Sequence, residues 1–417
     1  MGKLSLSKNT KQYIRNEIEQ LLELLATKQK SLKDGEYLQI SDELTKILVY
    51  HEAKEMFRPE VSFKGLDLTN ICFDNMIISN KDFTGSRGAK INPQTVLNKN
   101  CSNAMFTGVE FIGPFDGCKI QGSNFTGSKG AQINPQTIKD KNCFGVDFND
   151  VEFIGSFDDC NILYVNFAGS KGAQINPQTI KDKNCSYVDF NGVEFIGPFD
   201  NCKIYCSKFK GSTSAKIDPQ KLAVKNLYSV NCGDIDFIGS FDDCNISYAN
   251  FAGSKGAQIN PQTIKNKDCS VVNFGEVEFI GTFDECAIQG SNFKGSKGAK
   301  INPQTVYAKN LKNTVFENVE FMGSFDGCKI QGSNFTGSKG AIVDLSKVYN
   351  KDFSYTNFTD AQITEITNKC TMIATNFKGS MSLEDYNNKL EFMKELQKTY
   401  EKYKEELTYA PKLKLTQ

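Results

Sequence analysis

The chain has 417 residues, enough for two or three ordinary domains or for one long repeat array. Lys and Arg together number 49, as do Asp and Glu, so the net charge is zero, which does not fit a protein that holds nucleic acid by bulk electrostatics. Hydrophobic residues make up 39% and charged residues 24%, which excludes a disordered charged tail. One His and no Trp leave little basis for His-based catalysis or His-rich metal sites.

Residues 1–60 predict a helical cap at the N-terminal end. Segments 9–31 and 41–57 carry apolar residues at helical spacing, and Lys-Asp-Gly at 33–35 separates them. His51 lies on the second segment and is expected to be structural. No run of 18 apolar residues predicts a membrane span, and the first residues lack a secretion-signal pattern. We therefore expect a cytoplasmic protein without a membrane partner.

Residues 61–380 consist of a repeat 42 residues long. The string Ile-Asn-Pro-Gln-Thr begins at Ile91, Ile133, Ile175, Ile259 and Ile301, with a variant at Ile217. Within each repeat, apolar residues recur about every five positions, and a small residue often stands two positions before them. This period fits neither a helix nor a flat strand, so it predicts a chain that turns a corner every five residues. The apolar centre and the small residue should both point inward.

The pattern resembles that of the pentapeptide-repeat family over about residues 61–379. The resemblance implies an all-β solenoid, a right-handed quadrilateral β-helix with four pentapeptides per coil. Eight centres per repeat then give two coils, and about fifteen coils in all. The four inward columns are expected to run through Ile91, Val96, Cys101 and Phe106.

Cysteines recur at two of the inward positions. One column holds Cys101, Cys143, Cys185 and Cys269, with Leu227 and Leu311 in other repeats; the other holds Cys118, Cys160, Cys202, Cys244, Cys286, Cys328 and Cys370. Within a column they recur every second coil, about 10 Å apart, which is too far for a disulfide. A thiol redox or metal ladder is the alternative, but there is no Cys-x-x-Cys spacing. We expect small core residues and no metal or cofactor.

Residues 381–417 predict a C-terminal helix, over about 382–407, and a tail. Apolar residues there recur every seven positions, at Tyr386, Met393, Tyr400 and Leu407. This spacing is typical of a short coiled-coil seam. We expect a homodimer formed through this seam, with a cap folded onto the last coil as the alternative. The resemblance implies the same mode of assembly, because gyrase-binding members of the family dimerise through their C-terminal ends.

Two charged rows are candidate interaction surfaces. The cationic row consists of Arg87, Lys129, Lys171, Lys255, Lys297 and Lys339, in a Gly-rich turn; the acidic row consists of Glu110, Glu152, Glu194, Asp236, Glu278 and Glu320. A second acidic row runs from Asp116 through Asp158, Asp200, Asp242 and Asp284 to Asp326. The first acidic row should alternate with Lys90, Gln132, Gln174, Lys216 and Lys300, and the second with Lys139, Lys181 and Lys265. Solvated turns and weak surface ion pairs are the simpler interpretation.

The sequence has no nucleophile–base pair, phosphate loop or metal cluster, so an enzyme is not expected. It favours a non-enzymatic scaffold that presents a rigid surface to an unidentified protein. The alternative, which the resemblance implies, is a bacterial DNA mimic that binds DNA gyrase or another topoisomerase and gives fluoroquinolone resistance. A mimic needs a continuous acidic face, and the lysines between the acids argue against one. Direct binding of nucleic acid is not expected.

Overall fold

The structure is a computed structural model that describes residues 63–69, 71–74, 76–365, 371, 373–377 and 380, together with Tyr13, Asn16, Gln20 and Lys398. The chain divides into two compact units, Met1–Ala257 and Gln258–Gln417. No helix among the described residues is long and apolar enough to cross a membrane.

Short parallel strands form one side of the coils. In the first unit β1 (Lys90–Ile91) pairs with β2 (Glu110–Phe111), β3 (Gln132–Ile133) with β4 (Glu152–Phe153), β5 (Gln174–Ile175) with β6 (Glu194–Phe195), and β7 (Lys216–Ile217) with β8 (Asp236–Phe237). In the second unit β9 (Gln258–Ile259) pairs with β10 (Glu278–Phe279), β11 (Lys300–Ile301) with β12 (Glu320–Phe321), and β13 (Ile342–Asp344) with β14 (Gln362–Glu365). The strands are short because a corner interrupts the chain every few residues.

One 3-10 turn follows the first strand of each repeat. The turns are Leu97–Lys99, Lys139–Lys141, Lys181–Lys183 and Pro219–Lys221 in the first unit, and Lys265–Lys267, Tyr307–Lys309 and Tyr349–Lys351 in the second. Most contain a residue with left-handed backbone, such as Asp140 with φ 56°. Asn and Asp tolerate that conformation better than most residues, and they stand at this position in five of the seven turns.

Stacked phenylalanines show how the coils follow one another. The column starts at Phe63 and its members step by about one coil to the next: Phe63, Phe83, Phe106, Phe125, Phe148, Phe167, Phe190, Phe209, Cys232 and Phe251 in the first unit, and Phe274, Phe293, Phe316, Phe335, Phe358 and Phe377 in the second. The ten members in the first unit are separated by nine steps of one coil each, and the six members in the second unit by five. The predicted all-β solenoid with two coils per repeat is confirmed. The prediction of about fifteen coils also counts the step from Phe251 to Phe274, which is left out here because it crosses the division between the two units.

The apolar centres form the core, as the five-residue period predicts. Ile133, Ile138, Cys143 and Phe148 are all exposed by 4% or less, and the corresponding residues of the other repeats by 5% or less. Each buried Phe or Ile contributes about 1.5–3 kcal/mol of transfer free energy. Where the small inward residue is Ser, its hydroxyl bonds to a neighbouring coil: Ser123 Oγ donates to the carbonyl of Cys101 at 2.6 Å. At this inward position the core therefore holds a hydroxyl group that has a hydrogen-bond partner.

The Gly-Ser-Lys-Gly-Ala turn depends on its second glycine. Gly130 has φ 67°, and a Cβ there would lie 2.7 Å from the carbonyl oxygen of Phe111. At Gly256 the corresponding distance to Phe237 is 2.4 Å. Because both conformation and space require glycine, the turn is a structural element of the coil.

The predicted terminal helices lie outside the described residues. Within 9–31 and 382–407 only Tyr13, Asn16, Gln20 and Lys398 are described, and all four have helical backbone. Segment 41–57 with His51, the seam residues and the domain limits at 60 and 381 fall among residues that are not described. The caps and the seam stay predictions.

Candidate interaction surfaces

The acidic row lies on strands, where coil stacking sets its neighbours. Lys90 Nζ lies 3.4 Å from Oε2 of Glu110, and Gln132 Nε2 donates to Oε2 of Glu152 at 3.0 Å. The same contact recurs in other repeats, from Gln174 to Glu194 (2.7 Å), from Gln258 to Glu278 (2.9 Å) and from Lys300 to Glu320 (3.6 Å). The expected alternation of this row with Lys and Gln is therefore present.

The cationic row lies on the other side of the same acids. The backbone of Lys129 pairs with that of Glu110, and Lys171 pairs in the same way with Glu152. The pairing recurs for Lys255 with Asp236, Lys297 with Glu278 and Lys339 with Glu320, while Thr213 faces Glu194. Arg87 places Nη2 2.6 Å from Oδ2 of Asp67. Two rows that the sequence presents as separate surfaces thus form one face of alternating charge within each unit.

The second acidic row is held mainly by hydroxyl groups. Thr137 Oγ1 donates to Asp116 at 2.5 Å, Thr179 donates to Asp158, and Ser156 Oγ donates to Asp158 at 2.9 Å. The hydrogen bonds from Thr179 and Ser156, together with the charge of Lys141, keep the pKa of Asp158 below its usual range. The described contacts therefore place threonines on these carboxylates where the sequence suggested Lys139, Lys181 and Lys265.

The variant repeat follows the same geometry with a different group. Lys221 stands where five other repeats have the threonine, and its Nζ lies 4.0 Å from Oδ2 of Asp200. A cation replaces a hydroxyl donor at the same place.

The repeated Ile-Asn-Pro-Gln-Thr string builds a corner that joins coils. Asn134 Oδ1 accepts the N–H of Gln136 at 3.0 Å, which fixes the turn. The side-chain amide of Gln136 donates to the carbonyls of Ser156 (3.0 Å) and Asp158 (2.7 Å) on the next coil. The same amide lies 3.7 Å from Sγ of Cys160. These contacts account for the motif as a structural corner.

The two cysteine columns meet inside the solenoid. Cys101 and Cys118 are both fully buried and lie on adjacent coils, which the hydrogen bond from the N–H of Cys101 to the carbonyl of Lys119 at 2.9 Å holds together. The neighbouring side chain of Cys118, together with burial, raises the pKa of Cys101, and the side chain of Cys101 lowers the pKa of Cys118. The same pairing occurs for Cys143 with Cys160, Cys185 with Cys202 and Cys269 with Cys286. The sequence analysis considered only the spacing between cysteines of the same column, which does not show these pairs. The two cysteines of each pair are always 17 residues apart, slightly less than one coil, and this constant separation was the available sequence signal.

An exposed aromatic stripe in the first unit is the feature that sequence reasoning missed. It consists of Phe144, Tyr164, Tyr187, Tyr205, Tyr228 and Tyr248, on successive coils. Ring centroids lie 5.5 Å apart for Phe144 and Tyr164, 4.7 Å for Tyr164 and Tyr187, and 5.3 Å for Tyr187 and Tyr205. Tyr228 and Tyr248 form a further contact at 5.4 Å.

The backbone of the stripe is unusual for aromatic residues. Tyr164, Tyr187 and Tyr248 have φ of 61°, 59° and 62°, in the left-handed region that bulky side chains disfavour. The positions that correspond to Tyr164 include Gly122, Gly290 and Gly332 but also Cys206 and Ala374, and those that correspond to Tyr187 include Asn103 and Asn313. This departure from near-identical repeats was the available sequence signal.

A column of amides runs beside the aromatic stripe. Asn142, Asn161, Asn184, Asn226 and Asn245 pair through their backbones along the coils, with Lys203 as the charged member. Asn161 Nδ2 donates to Oδ1 of Asn142 at 3.3 Å. The stripe therefore has a nearly uncharged, hydrogen-bonding border.

Among the described residues, no group of three or more His, Cys, Asp or Glu side chains is placed to hold a metal ion. The thiol pairs are two-residue clusters, and the carboxylates of both acidic rows contact amides, lysines or hydroxyl groups.

No family model and no curated protein matches the chain. Among solved structures it is similar to HetL, a pentapeptide repeat protein involved in heterocyst differentiation regulation from the cyanobacterium Nostoc sp. strain PCC 7120. The sequences are 10% identical, the match covers 62% of this chain and 89% of HetL, and the TM-score is 0.17. That score is too low to support an assignment. The chain's own stacked coils and five-residue period show an all-β solenoid with two coils per repeat.

Proposed function

We propose that the protein is a non-enzymatic scaffold that binds a partner protein through the aromatic stripe on its first unit. The scaffold itself is proposed to be a right-handed quadrilateral β-helix. The observation that carries the proposal is the set of exposed tyrosines with left-handed backbone, at positions where several other repeats have Gly or Asn.

Backbone strain of this kind costs stability and is found where function compensates for it. Tyr164 is 49% exposed, Tyr187 40% and Tyr248 53%, so burial of these rings within the chain does not offset the backbone strain. Tyrosine is enriched at the centres of protein interfaces, because it supplies a large rigid surface with a hydrogen-bonding tip. The amide column beside the stripe supplies the polar border that such interfaces have.

The alternative of a topoisomerase-binding DNA mimic receives less support from the geometry. Glu110 and Glu320 contact lysines, while Glu152 and Asp158 accept hydrogen bonds from Gln132 and Thr179. Acids paired in this way do not present the continuous negative face of a phosphate backbone. We therefore expect no inhibition of gyrase supercoiling at micromolar protein concentration.

The binding surface is tested by returning the stripe to the residues of other repeats. The double substitution Tyr164→Asn and Tyr187→Asn should leave thermal stability equal or higher, because Asn tolerates left-handed backbone better than Tyr. In affinity purification from the host, a partner retained by the wild-type chain should be reduced at least tenfold.

Tyr355 offers a matched control in the second unit. It is 62% exposed and has φ 59°, but it is outside the stripe. Tyr355→Asn should keep the partner. If the stripe variant retains every partner that the wild type retains, the stripe is not the binding surface.

A further inference from the structure

The four buried thiol pairs are the strongest feature that the proposed function does not use. In each pair the backbone fixes the approach: Cys185 N–H donates to the carbonyl of Lys203 at 2.8 Å, which sets Cys185 beside Cys202 of the next coil. The hydrogen bonds at Cys101, Cys143 and Cys269 are equivalent, each at 2.9 Å. A single coil register therefore places the two buried cysteines of each pair on adjacent coils in four repeats.

In each pair, the cysteine in the column of Cys118 is called the outer one and the cysteine in the column of Cys101 the inner one. Two other repeats keep the outer cysteine but lack the inner one. Cys244 and Cys328 occupy the outer position, but Leu227 and Leu311 stand where the inner cysteine would be. All four residues are buried, so Leu fills the inner position as well as Cys does. Packing alone therefore does not require the inner thiol.

We propose that Cys101–Cys118, Cys143–Cys160, Cys185–Cys202 and Cys269–Cys286 are oxidisable dithiols that close disulfides between adjacent coils. The oxidant is a peroxide. The outer thiolate attacks one peroxide oxygen, which breaks the O–O bond, releases hydroxide and leaves a sulfenic acid. The inner thiol then attacks the sulfenic sulfur; the S–S bond forms, and the inner thiol's proton leaves with the hydroxyl group as water. Overall, two thiols and one hydrogen peroxide give one disulfide and two waters.

The outer thiol of the third pair, that of Cys202, lies beneath the half-buried side chain of Gln178, so we expect an oxidant to reach it before the inner thiol. Cys202 Sγ lies 3.6 Å from Nε2 of Gln178, and Lys183 Nζ donates to Oε1 of the same Gln178 at 2.8 Å. The hydrogen bond from Cys185 and the charge of Lys183 lower the pKa of Cys202, which favours the reactive thiolate. Gln178 thus covers this sulfur and limits access to it.

The experiment treats the reduced full-length chain with hydrogen peroxide, unfolds it, alkylates the remaining thiols and digests it with trypsin. No Lys or Arg separates the two cysteines of any pair, so each pair lies within one peptide. Mass spectrometry should show that each of the four peptides has lost two hydrogens and carries at least tenfold less alkylation. Cys328, which faces Leu311, should stay alkylated. The urea midpoint of the oxidised chain should rise.

A variant tests the cover by comparing two pairs in one molecule, under conditions in which circular dichroism shows the variant to be fully folded. Gln178→Ala should speed closure of Cys185–Cys202 severalfold relative to Cys143–Cys160 in the same molecule, because only the first pair loses its cover. Paired cysteines that stay as fully alkylated as Cys328 would overturn the proposal. So would oxidation confined to sulfinic acids or to intermolecular disulfides through the exposed Cys72.

Discussion

At the scale of single residues, the direction in which a side chain points decides its burial more than its residue type does. Phe195 and Ile196 are neighbours of similar hydrophobicity, yet Phe195 is 3% exposed and Ile196 is 58% exposed. Phe195 packs against Phe190, Phe199 and Phe209, with ring centroids 4.9–5.7 Å apart. Its position in the five-residue period predicts this difference, because only the centre of each pentapeptide points inward.

Phe195→Asp should unfold several coils. The substitution removes a buried ring, which by itself costs about 3–5 kcal/mol, and places a charge in the core. The control is Ile196→Asp, whose effect should stay within about 0.5 kcal/mol because the site is exposed. Thermal unfolding followed by circular dichroism compares them, and equal melting curves would show that the inward assignment is wrong.

Acid should weaken the contact between Thr179 and Asp158. The hydrogen bonds lower the folded-state pKa of Asp158, so their contribution is present above the unfolded pKa of about 4 and is lost as the pH falls through the folded value. Thr179→Val should therefore lower the urea midpoint at pH 7 and have a smaller effect at pH 2. A loss of the same size at both pH values would contradict this account.

At the scale of structural elements, the corner with the Ile-Asn-Pro-Gln-Thr string does more than turn the chain. Its Asn closes the turn, its Gln bonds to the next coil and its Thr bonds to an Asp of the preceding coil. One conserved string within the repeat thus connects three coils, which explains why five of its copies are identical.

Gln136→Ala should destabilise the first unit by about 1 kcal/mol, because the carbonyls of Ser156 and Asp158 lose their shared donor. Gln132→Ala is the matched control, since its amide reaches only the exposed carboxylate of Glu152, and such surface contacts contribute little. Urea unfolding measures both variants. If they are equally destabilised, the corner contact is not what holds the coils together.

At the scale of the whole molecule, assembly remains a prediction from sequence. The seam of Tyr386, Met393, Tyr400 and Leu407 lies outside the described residues, and the homodimer rests on its seven-residue spacing. Light scattering should give a dimer for the full chain and a monomer for a chain truncated after Ser380. If both are monomers at micromolar concentration, the segment does not mediate dimerisation.

The sequence by itself determined the architecture, because in a solenoid each residue's neighbours lie a constant number of positions away. The 42-residue repeat and its five-residue period were enough to predict the two coils per repeat, the inward columns centred on residues such as Ile133 and Phe148, and the lysine and glutamine partners of the glutamates.

Only the tertiary structure decided which different columns meet. A periodic sequence fixes the spacing along one column, but contacts between columns depend on the diagonal offset between coils and on the backbone at the corners. That offset places Cys185 against Cys202 and Thr179 against Asp158. The left-handed corners set Tyr164 and Tyr187 in a stacked pair on the surface, where rings on adjacent coils come within 4.7 Å.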